Sequence, residues 1–92
     1  MPDAMPTISF FYGIAIRMYL NDHSPPHIHA IYGEYEACVA IETGVVVDGR
    51  LPKTAEHLVR EWTNLNRDAL LENWRLARQG LLPNKIGGLD VE

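Results

Sequence analysis

Three of the four histidines in this chain fall in one short stretch, Asp22-His23-Ser24-Pro25-Pro26-His27-Ile28-His29. Imidazole is the commonest metal-binding side chain, and zinc takes nitrogen or sulfur donors at about 2.0–2.3 Å. His27 and His29 stand at i and i+2. On a strand, such residues leave the same face about 6.5–7 Å apart, close enough for two ring nitrogens to meet on one ion. His23 lies across a proline-stiffened bend and is placed to give a third ligand. Asp22 can join the ligands or orient an imidazole from behind. The spacing points to His23, His27 and His29 as ligands for zinc or another divalent transition metal. Two other uses of the same residues stay open. One is a polar contact surface for a ligand or partner without metal. The other is plain hydrogen bonding of the imidazoles to Tyr19, Glu36 or backbone.

Further residue types widen the choice. Arg17, Tyr19 and Tyr32 could orient or neutralise an anion, which with histidine would make a nuclease-like site. Ser24 sits beside His23 but precedes Pro25 and lacks a nucleophile elbow. No glycine loop suited to cradling phosphate is present. His27-Ile28-His29 followed by Glu34 is similar to the first motif of cupin metal sites, which adds Glu34 as a candidate. Cupins, however, are all-β, with a further histidine on a later strand. His57 falls in a helical stretch and is expected on a helix surface. Cys38 is the lone cysteine; it cannot form an intramolecular disulfide and is expected as a small core-facing residue.

The elements that must hold the histidines follow from periodicity. Ile14, Ile16, Met18 and Leu20 alternate with Ala15, Arg17 and Tyr19, the pattern of a half-buried strand. Pro25 and Pro26 interrupt any ladder. Alternation resumes over 27–32, turns at Tyr32-Gly33-Glu34, and continues over 35–42 with Val39 and Ile41 opposite Glu36, Cys38 and Glu42. Thr43-Gly44 leads into Val45-Val46-Val47, and Asp48-Gly49 ends that strand. Between Lys53 and Gln79 the chain has no proline or glycine, and the apolar period becomes helical. Leu58, Val59, Trp62, Leu65 and Ala69 form one stripe; Leu70, Trp74, Ala77 and Leu81 form a second, rotated by about 100°. A straight helix over this length would run about 40 Å, against a radius of gyration of about 12 Å for the domain. The segment is therefore two helices or one kinked helix, breaking near Asn64–Arg67.

The fold class is α+β: an antiparallel sheet of about four or five strands, covered on one face by two helices or one kinked helix. The chain reads as a single domain, with a loose lead-in (1–6), a β meander (7–51), a helical part (53–81) and an extended tail (82–92). The helices are expected on the face of Ile14, Ile16, Met18, Leu20, Ile28, Ala30, Tyr35, Val39 and Ile41. That leaves Arg17, Tyr19, His27, His29, Glu36 and Glu42 on an open face, with both strand histidines away from the helices. Leu58, Trp62, Leu65 and Trp74 are expected to seal the core.

With 47% apolar and 22% charged residues, the chain has an ordinary globular composition. At 92 residues it can bury one core but hardly a deep enclosed pocket as well, so a shallow groove is expected. The net charge of −4 and scattered basic residues argue against a sequence-independent grip on nucleic acid. No apolar run is long enough to span a membrane, no signal-peptide pattern opens the chain, and a lone cysteine suits a reducing compartment. A cytoplasmic protein is expected. Sheet residues such as Tyr and His on an open face suggest self-association into a homo-oligomer.

The run Asp22-His23, Pro25-Pro26-His27, His29-Ala30 is accompanied by Met5-Pro6-Thr7-Ile8, Phe11-Tyr12-Gly13-Ile14 and Ile16-Arg17-Met18-Tyr19. Tyr32-Gly33, Gly49, Leu51-Pro52, Trp62, Leu70 and Asn73-Trp74 follow. On these residues the chain resembles domain-of-unknown-function family 4160, a group of small prokaryotic proteins, from Met5 to about Leu89. The resemblance implies Met5 as the ancestral start, with residues 1–4 an extension. It also implies a small protein partner encoded nearby, in an arrangement similar to toxin–antitoxin pairs. It implies no activity. Two functions are carried forward: a binding or regulatory domain built on the histidine site, and a small metal-dependent or histidine-based hydrolase, with RNA as one candidate substrate. The acidic charge favours the first.

Overall fold

The computed structural model describes residues 5–90; the expected extension at residues 1–4 lies outside them. Five strands, β1 (Thr7–Phe11), β2 (Ile14–Arg17), β3 (His27–Tyr32), β4 (Tyr35–Ala40) and β5 (Val46–Gly49), precede two helices, α1 (Lys53–Leu65) and α2 (Arg67–Arg78). The strands make one antiparallel sheet in chain order, β1-β2-β3-β4-β5. This is the expected α+β meander followed by two helices.

Local chemistry explains the turns. Tyr12 and Gly13 join β1 to β2 with φ of 50° and 79°, the double positive φ that lets a two-residue hairpin follow the strand twist. Gly49 (φ 75°) closes β5, where an added Cβ would stand 2.3 Å from the Glu36 carbonyl oxygen. β2 is shorter than its alternating pattern: it ends at Arg17, and Met18 to Leu20 already lead into the histidine loop. Met18 nevertheless stays fully buried.

The core lies between the sheet and the helices. Ile8, Phe11, Ile14, Ile16, Ile28, Ala30, Ala37, Val39 and Ile41 meet Ala55, Val59, Trp62, Leu70, Trp74 and Ala77. The Trp62 ring packs 5.3 Å from that of Phe11, and its Nε1–H donates to the Gly87 carbonyl at 2.8 Å. The tail is thereby drawn across β1, where the Ile86 N–H donates to the Ile8 carbonyl.

The helical segment breaks at Asn66 (φ −116°, ψ 23°), which ends α1 and opens α2. Its side-chain amide donates to the Trp62 carbonyl, which also accepts the Asn66 backbone N–H, so the residue at the break bonds twice to the last turn of α1. The bend is pinned by Arg67, whose Nε–H donates to the Ile41 carbonyl. The observed radius of gyration is 12.0 Å, the compactness that required the break. Leu65 departs from expectation: it is 70% exposed. It is the last residue of α1, where the chain turns away before the apolar stripe reaches the sheet again. Thr63 is fully buried instead. Leu81 is likewise half exposed, because α2 ends at Arg78 and Gly80 adopts a positive φ. The Leu81 N–H donates back to the Leu76 carbonyl, the six-to-one closure of a glycine C-cap.

Candidate functional site in the histidine cleft

The histidine loop is held in place by α2 and by the residue that follows β4. At its start the Asn21 N–H donates to the Ala77 carbonyl at 2.9 Å, and at its end the Ile41 N–H donates to the Pro26 carbonyl at 3.1 Å. Midway, Arg78 Nη1 donates to Ser24 Oγ. The loop is thus tied to the helix end that also carries Trp74. The His27 ring lies 5.2 Å from the Trp74 ring, which corrects the expectation that both strand histidines sit away from the helices. His27 is the first residue of β3, and the Trp74 side chain of α2 packs against it there.

Asp22 is the hub of the loop. Its Oδ2 lies 2.8 Å from His27 Nε2 and 3.6 Å from His29 Nε2. Its Oδ1 accepts the His23 backbone N–H at 2.8 Å. Burial pushes the Asp22 carboxyl up, but the His23 amide and the imidazoles of His27 and His29 outweigh it, so the carboxyl sits below its ordinary range.

Both ring nitrogens of His27 face oxygens that only accept. Nδ1 stands 2.8 Å from the Pro25 carbonyl oxygen, and Nε2 faces the Asp22 carboxylate. A neutral imidazole has one N–H and can serve one of them. Donating from Nδ1 leaves the Nε2 lone pair turned toward a carboxylate. That contact is favourable when the ring carries a second proton or when a cation lies against Nε2 and Oδ2. His29 shows a similar division. Its Nδ1 faces Glu36 Oε2 at 3.7 Å, and its Nε2 is buried with no hydrogen-bond partner, since 3.6 Å to Asp22 is beyond hydrogen-bond range. The Tyr19 ring covers His29 at 4.3 Å.

Cross-strand register supplies the rest. Arg17 of β2 and Cys38 of β4 both stand opposite His29, and Asp48 of β5 stands opposite Cys38. Directly opposed residues share a face, so Arg17, His29, Cys38 and Asp48 form one row across the open side of the sheet. Cys38 therefore faces the histidines and not the core, as the alternation of β4 had it and its residue type did not. Burial, then the carboxylates of Asp22, Asp48 and Glu36, push its thiol up.

These groups line an open cleft of about 460 Å³, bounded by Tyr19, Asp22, His23, His27, His29, Glu36, Cys38 and Asp48 among others. It contains three carboxylates and no lysine or arginine. Within it, His27, His29 and Cys38 bring one ligand atom each to within 4.8 Å of one another, and so do Asp22, His23 and His27. These groups could hold a metal ion.

Not all the expected residues converge. Tyr32 turns to the other end of the sheet, beside Gly13, and lines a separate groove with Tyr12, Ile14 and Leu58. Glu34 is an exposed turn residue outside the cleft. Arg17 shares the row but is not among the residues that line the cleft, and its Nε is buried without a hydrogen-bond partner. His57 is exposed on α1. Cys38 and Asp48 were not singled out as site residues by type, although the register that places them was countable.

Among the described residues no helix is long and apolar enough to cross a membrane. Comparison with curated proteins and with solved structures finds no match. A family model does match, over residues 13–75, a span that includes the whole histidine cleft. The chain belongs to the family described as domain of unknown function DUF4160.

Proposed function

We propose that this chain is a small binding domain whose histidine cleft takes a divalent transition-metal cation. The observation that carries this reading is the orientation of the two imidazoles. His27 and His29 each turn Nδ1 toward an oxygen acceptor and Nε2 toward the Asp22 carboxylate. Metal-binding histidines commonly have one nitrogen fixed by a carbonyl or carboxylate and the other turned to the ion. Here the Pro25 carbonyl can fix His27 Nδ1, and a cation would take the place between Nε2 and the Asp22 carboxylate, which now lie 2.8 Å apart. The acidic lining favours a cation over an anionic ligand. In this reading the domain works in the cytoplasm as the regulatory half of a two-protein module, with its exposed apolar residues, Phe10, Val47, Leu65 and Leu82 among them, available for self-association or a small protein partner.

The test is a zinc titration of the wild-type chain and of His27→Ala and His29→Ala near pH 7.5. One equivalent should bind to the wild type, and each variant should lose about 3 kcal/mol, roughly a hundredfold in affinity. Wild-type binding no tighter than that of the variants would refute the reading.

A second reading uses the same ion as a Lewis acid in a small hydrolase. The open mouth of the cleft favours it, because a catalytic metal keeps a position for water. Action on RNA is opposed by the three lining carboxylates, which repel phosphate. Toxicity on expression, relieved by His27→Ala, would support the hydrolase.

A further inference from the structure

We infer that the ion is held by an inner set, His27, His29 and Cys38, with the Asp22 carboxylate, 2.8 Å from His27 Nε2 and 3.6 Å from His29 Nε2, beside it, and that His23 is dispensable, so the site selects a zinc-class cation over magnesium or calcium. This rests on the metal reading above and gives it a ligand set.

Two overlapping triads compete for the ion, and they share His27. The outer one depends on His23, whose side chain is 87% exposed, against 8% for His27 and 17% for His29. An exposed imidazole has water as an alternative partner and must be ordered on binding. His23 also approaches Asp22 through Oδ1, the oxygen its own backbone N–H already occupies. His29 stands differently: its Nε2 is buried, lacks a hydrogen-bond partner and lies beneath Tyr19. Buried nitrogens are rarely left so, and a cation between Nε2 and its neighbours would satisfy it.

Cys38 is the neighbour the sheet provides. It is the cross-strand partner of His29, so its position is fixed by strand register and not by a loop. The three ligand atoms lie within 4.8 Å of one another. The edges of a tetrahedral zinc site with nitrogen and sulfur ligands are about 3.3–3.7 Å, so side-chain adjustments of roughly an ångström close the set. Two imidazoles, a thiolate and a carboxylate suit zinc, cobalt or a similar borderline cation, whereas magnesium and calcium require oxygen. On binding, the Cys38 S–H proton leaves to solvent as the sulfur–metal bond forms.

Cobalt(II) titration of the full chain distinguishes the possibilities by absorption. The wild type should develop a thiolate-to-cobalt charge-transfer band in the near ultraviolet. Cys38→Ser should lose the band and bind zinc at least about tenfold more weakly, with Cys38→Ala behaving alike and circular dichroism confirming that both fold. His23→Ala should keep the band and stay within about twofold of wild-type affinity. Millimolar magnesium should not displace the cobalt. Saturable cobalt binding without the band, or a tenfold loss in His23→Ala alone, would overturn the inner set while leaving the metal reading intact. Absence of saturable binding by the wild type would overturn both.

Discussion

The two faces of the central strands differ by a single residue step. On the helix side, Ile16, Ile28 and Val39 are fully buried and ask only for shape. On the other side, Arg17, His29 and Cys38 are half-buried, and each brings polar atoms to be satisfied. Arg17 Nε and His29 Nε2 have no hydrogen-bond partner there. Burying such a nitrogen costs about 1–3 kcal/mol, a substantial fraction of the 5–15 kcal/mol by which a domain is stable. These unpaired nitrogens set the open face apart from the covered one, and the proposed metal site accounts for the one on His29.

The largest test of that division acts on the covered face. Trp62→Ala removes a fully buried indole and its hydrogen bond to Gly87. Chemical denaturation should show a loss of about 3–5 kcal/mol, and under native conditions metal stoichiometry should be unchanged. A loss below about 1 kcal/mol would mean that the core is not where the division puts it.

Asp22→Asn acts on the open face. The variant gives up the charge-assisted contacts to His27 and the His23 amide, and should lose about 1–3 kcal/mol near neutral pH. The sign with pH follows from linkage. The Asp22 carboxyl sits below its ordinary range in the folded chain, so its contribution is fully present above that range and is lost as pH falls through the folded value. The stability gap between wild type and Asp22→Asn should hold at neutral pH and shrink in acid below about pH 4. A gap that widens in acid would show that the carboxylate is not stabilised by its neighbours.

A third comparison sets proton against metal. Imidazole must be neutral to ligate, so zinc affinity of the wild type should fall by roughly tenfold or more between about pH 7.5 and pH 5.5. An anionic ligand on the same face would bind better over that range, because imidazolium attracts it. A rising affinity for phosphate or an acidic peptide, with none for zinc, would reassign the cleft.

The sequence was uneven in what it disclosed. Strand parity was readable, because alternation fixes which side chains share a face; Ile28 against His27 and His29 is an example. The break at Asn66 was readable from length and stripe rotation together. The convergence on Asp22 was only partly so. Its residues are close in sequence, but the packing of Trp74 from α2 on His27 depends on the angle at Asn66, which periodicity does not contain. Cys38 was hidden by its type. The tight turn at Gly33-Glu34 pairs Tyr32 with Tyr35, and counting outward from there sets His29 opposite Cys38. The general preference of cysteine for cores outweighed that count. Tyr32 and Glu34 misled because they are near the histidines in sequence, while β3 carries them to its far end.

The smallest expected effect belongs to Leu65, which shares a helical stripe with Trp62 yet is 70% exposed. Leu65→Ala should change the stability of the isolated chain by less than about 0.5 kcal/mol, the usual range for a surface position. Alanine also has the higher helix propensity, so even the sign need not be destabilising. This makes Leu65 a probe of what covers the apolar surface that the helix break leaves outside. If copies of the chain associate through it, stability should rise with protein concentration, and the substitution should remove part of that dependence. Sedimentation and denaturation of wild type and Leu65→Ala at about 1 and 100 μM compare the two cases. Concentration-dependent association weakened by the substitution would place a second copy on the α1–α2 corner. A monomer at both concentrations would reject self-association and leave the surface for a different partner.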